Sequence, residues 1–180
     1  MVGFVKRYLI TGSAGAGKST LAEKLTASGY QAIEADTDLA VYIDSTTEEI
    51  VEAGDLGPDE HWELGHLWAW DPAELKRLLD DQTHAMLFIC GGAAWQERYY
   101  GLFDKVFVLH VKSDEELSCR LRRRWPQCDQ AQIDVDVAQN AGMLEHAARY
   151  GLDLIDASEP IDEVLRCILQ RCAAAPVGNA

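Results

Sequence analysis

Residues 10–20, ITGSAGAGKST, constrain this chain more than any other stretch. Gly12, Gly17, Lys18 and Ser19 fall in the pattern G-x-x-x-x-G-K-[ST]. Glycines at this spacing let successive backbone N–H groups turn inward. A helix that starts immediately afterwards points its positive end at the same spot. The product is a cradle for phosphate oxygens. The backbone of Gly12, Ser13, Ala14, Gly15, Ala16 and Gly17 would line it, with Thr20 close by at the head of the helix. Lys18 would reach the β- and γ-phosphates of a nucleoside triphosphate, and Ser19 would set its hydroxyl on Mg²⁺.

The flanks fit that geometry. FVKRYLIT reads as a buried strand before the glycines, and KSTLAEKLTASG as a helix after them, with Leu21 and Leu25 on one face and Gly29 as its stop. Further strands are expected in YQAIEAD, AMLFICGG, KVFVLHV and LDLIDAS. Helices are expected in PAELKRLLDD, SDEELSCRLRRR (opened by a capping box from Ser113 to Glu116), QIDVDVAQNAGMLEHAARY and PIDEVLRCILQRC. Strands that alternate with helices give a parallel sheet covered on both faces, and their apolar runs without strict alternation agree. Between about 38 and 81 the pattern reads as helical but broken, with punctuation at Gly54, Gly57–Pro58 and Asp71–Pro72.

The 180 residues suit one domain, expected over 1–172, with a frayed tail at 173–180. The net charge of −14 repels nucleic-acid backbones and anionic membranes, so neither is an expected partner. No signal-peptide pattern and no bilayer-length apolar run is read. Five cysteines without a C-x-x-C pair point to a reducing cytoplasm. A monomer and a homodimer both fit.

Three further stretches carry chemistry. Asp36 and Asp38 close the second strand, at the sheet edge where open α/β sheets bind ligands. Two carboxylates beside a metal–phosphate site could divide the tasks of holding the ion and accepting a proton from an attacking hydroxyl; either could instead cap a helix. The third strand ends FICGG, where a P-loop ATPase usually carries an acid. Metal support then falls to Asp36, and Gly91–Gly92 either admit the γ-phosphate and acceptor or simply turn the chain. Third, Arg120, Arg122, Arg123 and Arg124 crowd the end of a helix in an acidic protein. Guanidinium groups there can close over a transferring phosphoryl group or merely offset the helix dipole. Arg120, Arg123 and Arg124 share a face.

A P-loop, a D-x-D after strand two, a G-G after strand three and an R-x-x-R/R segment, in that order, resemble the small P-loop kinases of the shikimate kinase and gluconate kinase type. These lie within the nucleoside-monophosphate-kinase-like group. The resemblance implies a three-layer α/β/α fold with a five-stranded parallel sheet in the order 2-3-1-4-5, a helical acceptor-binding insertion at about 38–81 and an arginine-bearing lid at about 120–132. It implies ATP and Mg²⁺ as cofactors, Lys18, Asp38, Arg120 and Arg124 as catalytic residues, and Ser19 and Asp36 as metal supports. Arg120, Asp156, Ala157 and Ser158 would lie against the nucleotide.

The chain departs from shikimate kinases in two ways. Ala93 stands where they have a third glycine, and the arginines that hold the shikimate carboxylate have no counterpart. From Glu34 to Asp81 there are fifteen acids but only two cations of the Lys/Arg kind, Lys76 and Arg77. That balance disfavours shikimate and nucleoside monophosphates as acceptors. The same segment is rich in indoles. Trp62 and Trp70, with Trp95 after the glycine pair, could stack on a sugar, a base or a cation, or form a small core of their own. Together with Asp36, Asp38, Gly91 and Gly92 they make the expected acceptor site. The leading expectation is an ATP-dependent kinase of a small neutral or cationic alcohol: a nucleoside, a sugar, an amino-polyol or an antibiotic-like molecule. A nucleoside monophosphate kinase and a nucleotide-binding switch are the alternatives.

Overall fold

A computed structural model of the chain describes residues 5–52 and 54–173. The chain opens with β1 (Lys6–Gly12), α1 (Lys18–Ala27), β2 (Gln31–Glu34) and a single helical turn, α2 (Ala35–Asp38). An insertion follows: β3 (Ala40–Asp44), β4 (Ile50–Val51), α3 (Pro58–Glu63), β5 (His66–Trp70) and α4 (Pro72–Asp80). The frame then resumes with β6 (Met86–Cys90), a 3₁₀ helix (Gln96–Leu102), β7 (Lys105–His110), α5 (Asp114–Arg124), α6 (Gln130–Tyr150), β8 (Asp153–Asp156) and α7 (Ile161–Ala173).

Five strands form one all-parallel sheet in the order β2-β6-β1-β7-β8. Counted among those five alone, the order is 2-3-1-4-5. The numbering differs only because three more strands intervene in the insertion. Successive residues of the central strands serve opposite faces. Tyr8 and Ile10 of β1 and Phe88 and Cys90 of β6 join one core cluster, while Leu9, Leu87 and Ile89 join the other. Both faces are dry, which is why these strands read as unbroken apolar runs.

The insertion corrects the expected helical reading. It is built on a three-stranded antiparallel sheet, β4-β3-β5, with Tyr42 opposite Trp68 and Ile43 opposite Leu67. The β-branched and aromatic residues of AVYID and HLWAW prefer a pleated surface, and the punctuation between them makes turns. Asp44 Oδ1 accepts from Thr46 N and Thr47 N, both at 2.8 Å, and so starts the turn between β3 and β4. The helix expected at PAELKRLLDD is present as α4, with Asp71 capping it by accepting from Ala73 N at 2.8 Å. Ala173, expected in the tail, is the last residue of α7; 174–180 lie outside the described residues.

Candidate active site

The glycine loop sits at the carboxyl end of β1, between that strand and α1. Gly12 has φ 148°, and a Cβ there would lie 2.6 Å from the carbonyl oxygen of Leu109. Only glycine lets β1 end this close to β7. Gly17, at φ 100°, forms the N-cap of α1. Lys18 folds back over the loop, its Nζ donating to Gly12 O and Ser13 O at 2.8 Å each. Burial lowers its pKa from the ordinary amine value, against the opposing pull of Asp36.

A cleft of about 550 Å³ opens over the loop. Lys18, Ser19, Asp36, Trp68, Gln96 and Arg124 all line it, with Gly92 and the P-loop backbone beneath. Asp36 reaches it because α2 packs against the glycine pair. A Cβ on Gly91 would lie 2.5 Å from Ala35 Cβ, so the first of the two glycines is required by packing and the second borders the cleft. Asp38, on the same turn and exposed like Asp36, does not border the cleft. Ser19 and Asp36 offer oxygen donors of the kind Mg²⁺ takes together with phosphate oxygens. No group of three or more His, Cys, Asp or Glu side chains among the described residues could hold a metal unaided.

A second cavity of about 320 Å³ lies on the other side of the loop. Thr20, Arg120, Arg123, Arg124 and Ala157 border it. Arg124 is the arginine common to both cavities, and its charge is felt at Lys18. Arg120 pairs with Glu116 at 2.5 Å. Asp156 and Ser158 border neither space. Asp156 pairs with Lys112 at 2.5 Å, which holds its carboxyl below the usual range, and Ser158 Oγ accepts from Lys112 N at 2.9 Å. They build the turn that presents Ala157.

The indoles divide in a way the sequence did not disclose. Trp70 is core: it is 1% exposed and packs near Tyr99 at 5.9 Å. Trp62 is 72% exposed on α3 and borders no described cavity. Trp95 carries the Arg98 guanidinium 4.3 Å from its ring centroid instead of facing the cleft. Trp68 is the insertion tryptophan that borders the cleft. Its carbonyl receives Ala94 N at 2.8 Å, and Tyr42 meets its ring edge-on at 4.8 Å.

Sequence reasoning also missed Thr11, Gln96, Trp125, Asp136 and Asn140. Thr11 Oγ1 donates to Gln96 Oε1 at 3.1 Å, fixing the loop after β6 against β1. Trp125 borders the cleft and a neighbouring groove of about 760 Å³ whose acids are Asp59, Asp129 and Asp136. Burial raises the Asp136 pKa, opposed by a hydrogen bond from Gln132 and by the charge of Lys18. A polar residue every fourth position within α6 (Gln132, Asp136, Asn140) is the signal that could have marked this face.

Comparison with solved structures gives a consistent answer. A gluconokinase from Sinorhizobium meliloti 1021 superposes with a TM-score of 0.53 at 17% identity, over 96% of this chain and 95% of that one. A shikimate kinase from Acinetobacter baumannii, in complex with shikimate, gives 0.61 at 16% identity, over 97% and 96%. A shikimate kinase from Bacteroides thetaiotaomicron gives 0.57 at 20% identity, over 93% and 98%. The chain has the fold of the small gluconate and shikimate kinases. No family model matches its sequence, and no curated protein does. Within this kinase fold, no helix among the described residues is long and apolar enough to cross a membrane.

Proposed function

We propose that this chain is an ATP-dependent kinase that transfers the γ-phosphoryl group to a hydroxyl of a small neutral or cationic acceptor. The reading is carried by one observation: the phosphate loop with Lys18, the carboxylate Asp36 and the indole Trp68 border one cleft. ATP would lie along the loop, its base toward Ala157 and Arg120. The acceptor would lie against Trp68. Ser19 and Asp36 would hold Mg²⁺, which offsets charge on the phosphate oxygens. Lys18 leaves its carbonyl partners to neutralise the β- and γ-phosphates, and Arg124 adds a second cation where charge develops.

Phosphoryl transfer through a loose transition state asks the protein mainly for position and charge. Asp38, which unlike Asp36 does not border the cleft, therefore has a smaller role than the spacing suggests. Once the phosphoryl group is transferred, the hydroxyl proton can pass to solvent.

The acceptor class follows from the insertion. Its two cations are already engaged within α4: Arg77 pairs with Glu74, and Lys76 with Asp80. Arg98 pairs with Glu48 at 2.9 Å. An anionic acceptor would thus meet Asp36 and the triphosphate without a cation of the insertion to offset it. The test is ADP release from Mg·ATP with a panel of nucleosides, sugars and amino-sugars. Turnover should stay slow until one of these is added. Efficient phosphorylation of a nucleoside monophosphate overturns the acceptor class, and turnover that no acceptor stimulates favours a nucleotide switch.

A further inference from the structure

Asn140, on the helix that follows the lid, has no exposed surface. Its Oδ1 accepts from Val111 N at 3.1 Å and from Ser13 Oγ at 3.2 Å, and its Nδ2 donates to Val111 O at 2.7 Å. Both ends of the carboxamide are engaged, and the N–H and C=O of Val111 dictate which end faces which way. Val111 is the residue just beyond β7. Ser13 is the second residue of the phosphate loop. Its carbonyl, with that of Gly12, receives Lys18 Nζ. One side chain therefore joins the end of a central strand, the phosphate loop that holds the lysine, and α6. Asp136, one turn earlier on α6, is also buried and acts electrostatically on Lys18.

We infer that Asn140 is a positioning residue for nucleotide binding. It fixes the phosphate loop through the Ser13 hydroxyl, so that the shape of the loop depends on where α6 sits. Asn140 touches no phosphate in this role. It acts through Ser13, and it links the loop to the helix that carries the lid's far end. The inference rests on reading the loop as a nucleotide cradle.

Ser13→Ala is the cleanest test, because it leaves both bonds between Asn140 and Val111 in place. Titration calorimetry with Mg·ADP should give an affinity about threefold to tenfold below that of the unaltered chain, the usual net worth of one hydrogen bond. The melting temperature should move little. Asn140→Asp keeps the shape but sets a carboxylate oxygen against Val111 O. Its Mg·ADP affinity should fall further, and the gap to the unaltered chain should narrow at lower pH, where a protonated carboxyl again donates to that carbonyl. Ser13→Ala should cost more on the Asn140→Asp background than alone, because the Ser13 hydroxyl then donates to a carboxylate oxygen and the two residues act as one unit. Ser13→Ala affinity within twofold of the unaltered chain, or strictly additive losses, overturns the inference while leaving the cradle intact. If Asn140→Asp does not fold, the Ser13→Ala affinity decides by itself. Failure of the unaltered chain to bind Mg·ADP overturns the cradle reading, and this inference with it.

Discussion

The phosphate-loop region and the insertion of this molecule are built on different physical rules. Around the phosphate loop, backbone does most of the work. Gly12 is there because Leu109 O leaves no room for a Cβ, and Gly17 because α1 starts from a left-handed residue. Such demands tie a residue type to a place, so sequence and site correspond closely. In the insertion, side chains do the work on a small antiparallel sheet. Several residue types could fill each place there, and the same residue type fills very different ones. Trp68 borders the cleft, Trp70 is core and Trp62 stands in solvent, all within nine positions of sequence.

Lys18→Met probes the first region most directly and carries the largest expected effect. Phosphoryl transfer should fall by at least about 10²–10³-fold, as for loss of a main charge-stabilising group. The variant loses the Nζ bonds to Gly12 O and Ser13 O, but its melting temperature relative to the unaltered chain should stand higher at pH 7 than in alkali. Burial depresses the folded-state pKa of Lys18, so the unfolded chain holds that proton more tightly. The stability cost is fully present below the folded pKa and disappears as pH rises through the unfolded value, so the variant's relative melting temperature should fall toward alkaline pH. A melting-temperature difference that does not change between pH 7 and alkaline pH would break the contrast.

The insertion's side of the contrast is sharpened by comparing its tryptophans. Trp70→Ala should lower stability by about 3–5 kcal/mol, the cost of emptying a large core site, read by denaturant unfolding. Trp68→Ala should leave unfolding nearly unchanged and raise KM for the acceptor while sparing KM for ATP. Trp62→Ala should do neither. Equal effects from Trp62 and Trp68 would remove the reason to place the acceptor at the cleft wall.

Asp36→Asn and Asp38→Asn test where the two regions meet. The first should lower kcat and weaken the Mg²⁺ dependence of turnover. The second should change kcat by no more than a few-fold. A reversed order restores the proton-acceptor role expected from the D-x-D spacing. The smallest effect belongs to the surface pair of exposed Lys112 and half-buried Asp156. Their bond holds the Asp156 pKa down, so its contribution to stability is present above the unfolded carboxylate pKa and is lost as pH falls through the lower folded value. Lys112→Ala should shift the melting temperature at pH 7 by roughly one or two degrees, and by less in acid.

The frame was legible because its strands had to be apolar on both faces and its helices carried local stop and start signals, such as Ser113, whose hydroxyl accepts from Glu116 N at 3.2 Å. The insertion was misread because its strands are short and its Gly–Pro punctuation suits broken helices as well as turns. AVYID and the Asp44 turn held the correcting signal. Asn140 was missed for another reason. A polar stripe at helical spacing, Gln132, Asp136 and Asn140, reads as solvent-facing surface, and only the fold brings Asn140 against Ser13 and beside Val111.

The order of strands in the sheet also differs from their order along the chain, and this has a consequence for synthesis. β1 pairs with β6 and β7, so Lys6 lies beside Met86 and Gly12 beside Leu109. A ribosome making this chain releases β1 about eighty residues before its first neighbour, as that pairing implies. The glycine loop is thus translated long before it is enclosed, since Asn140 must arrive before Ser13 finds its partner. A nucleotide would then meet the complete cradle only once α6 is in place.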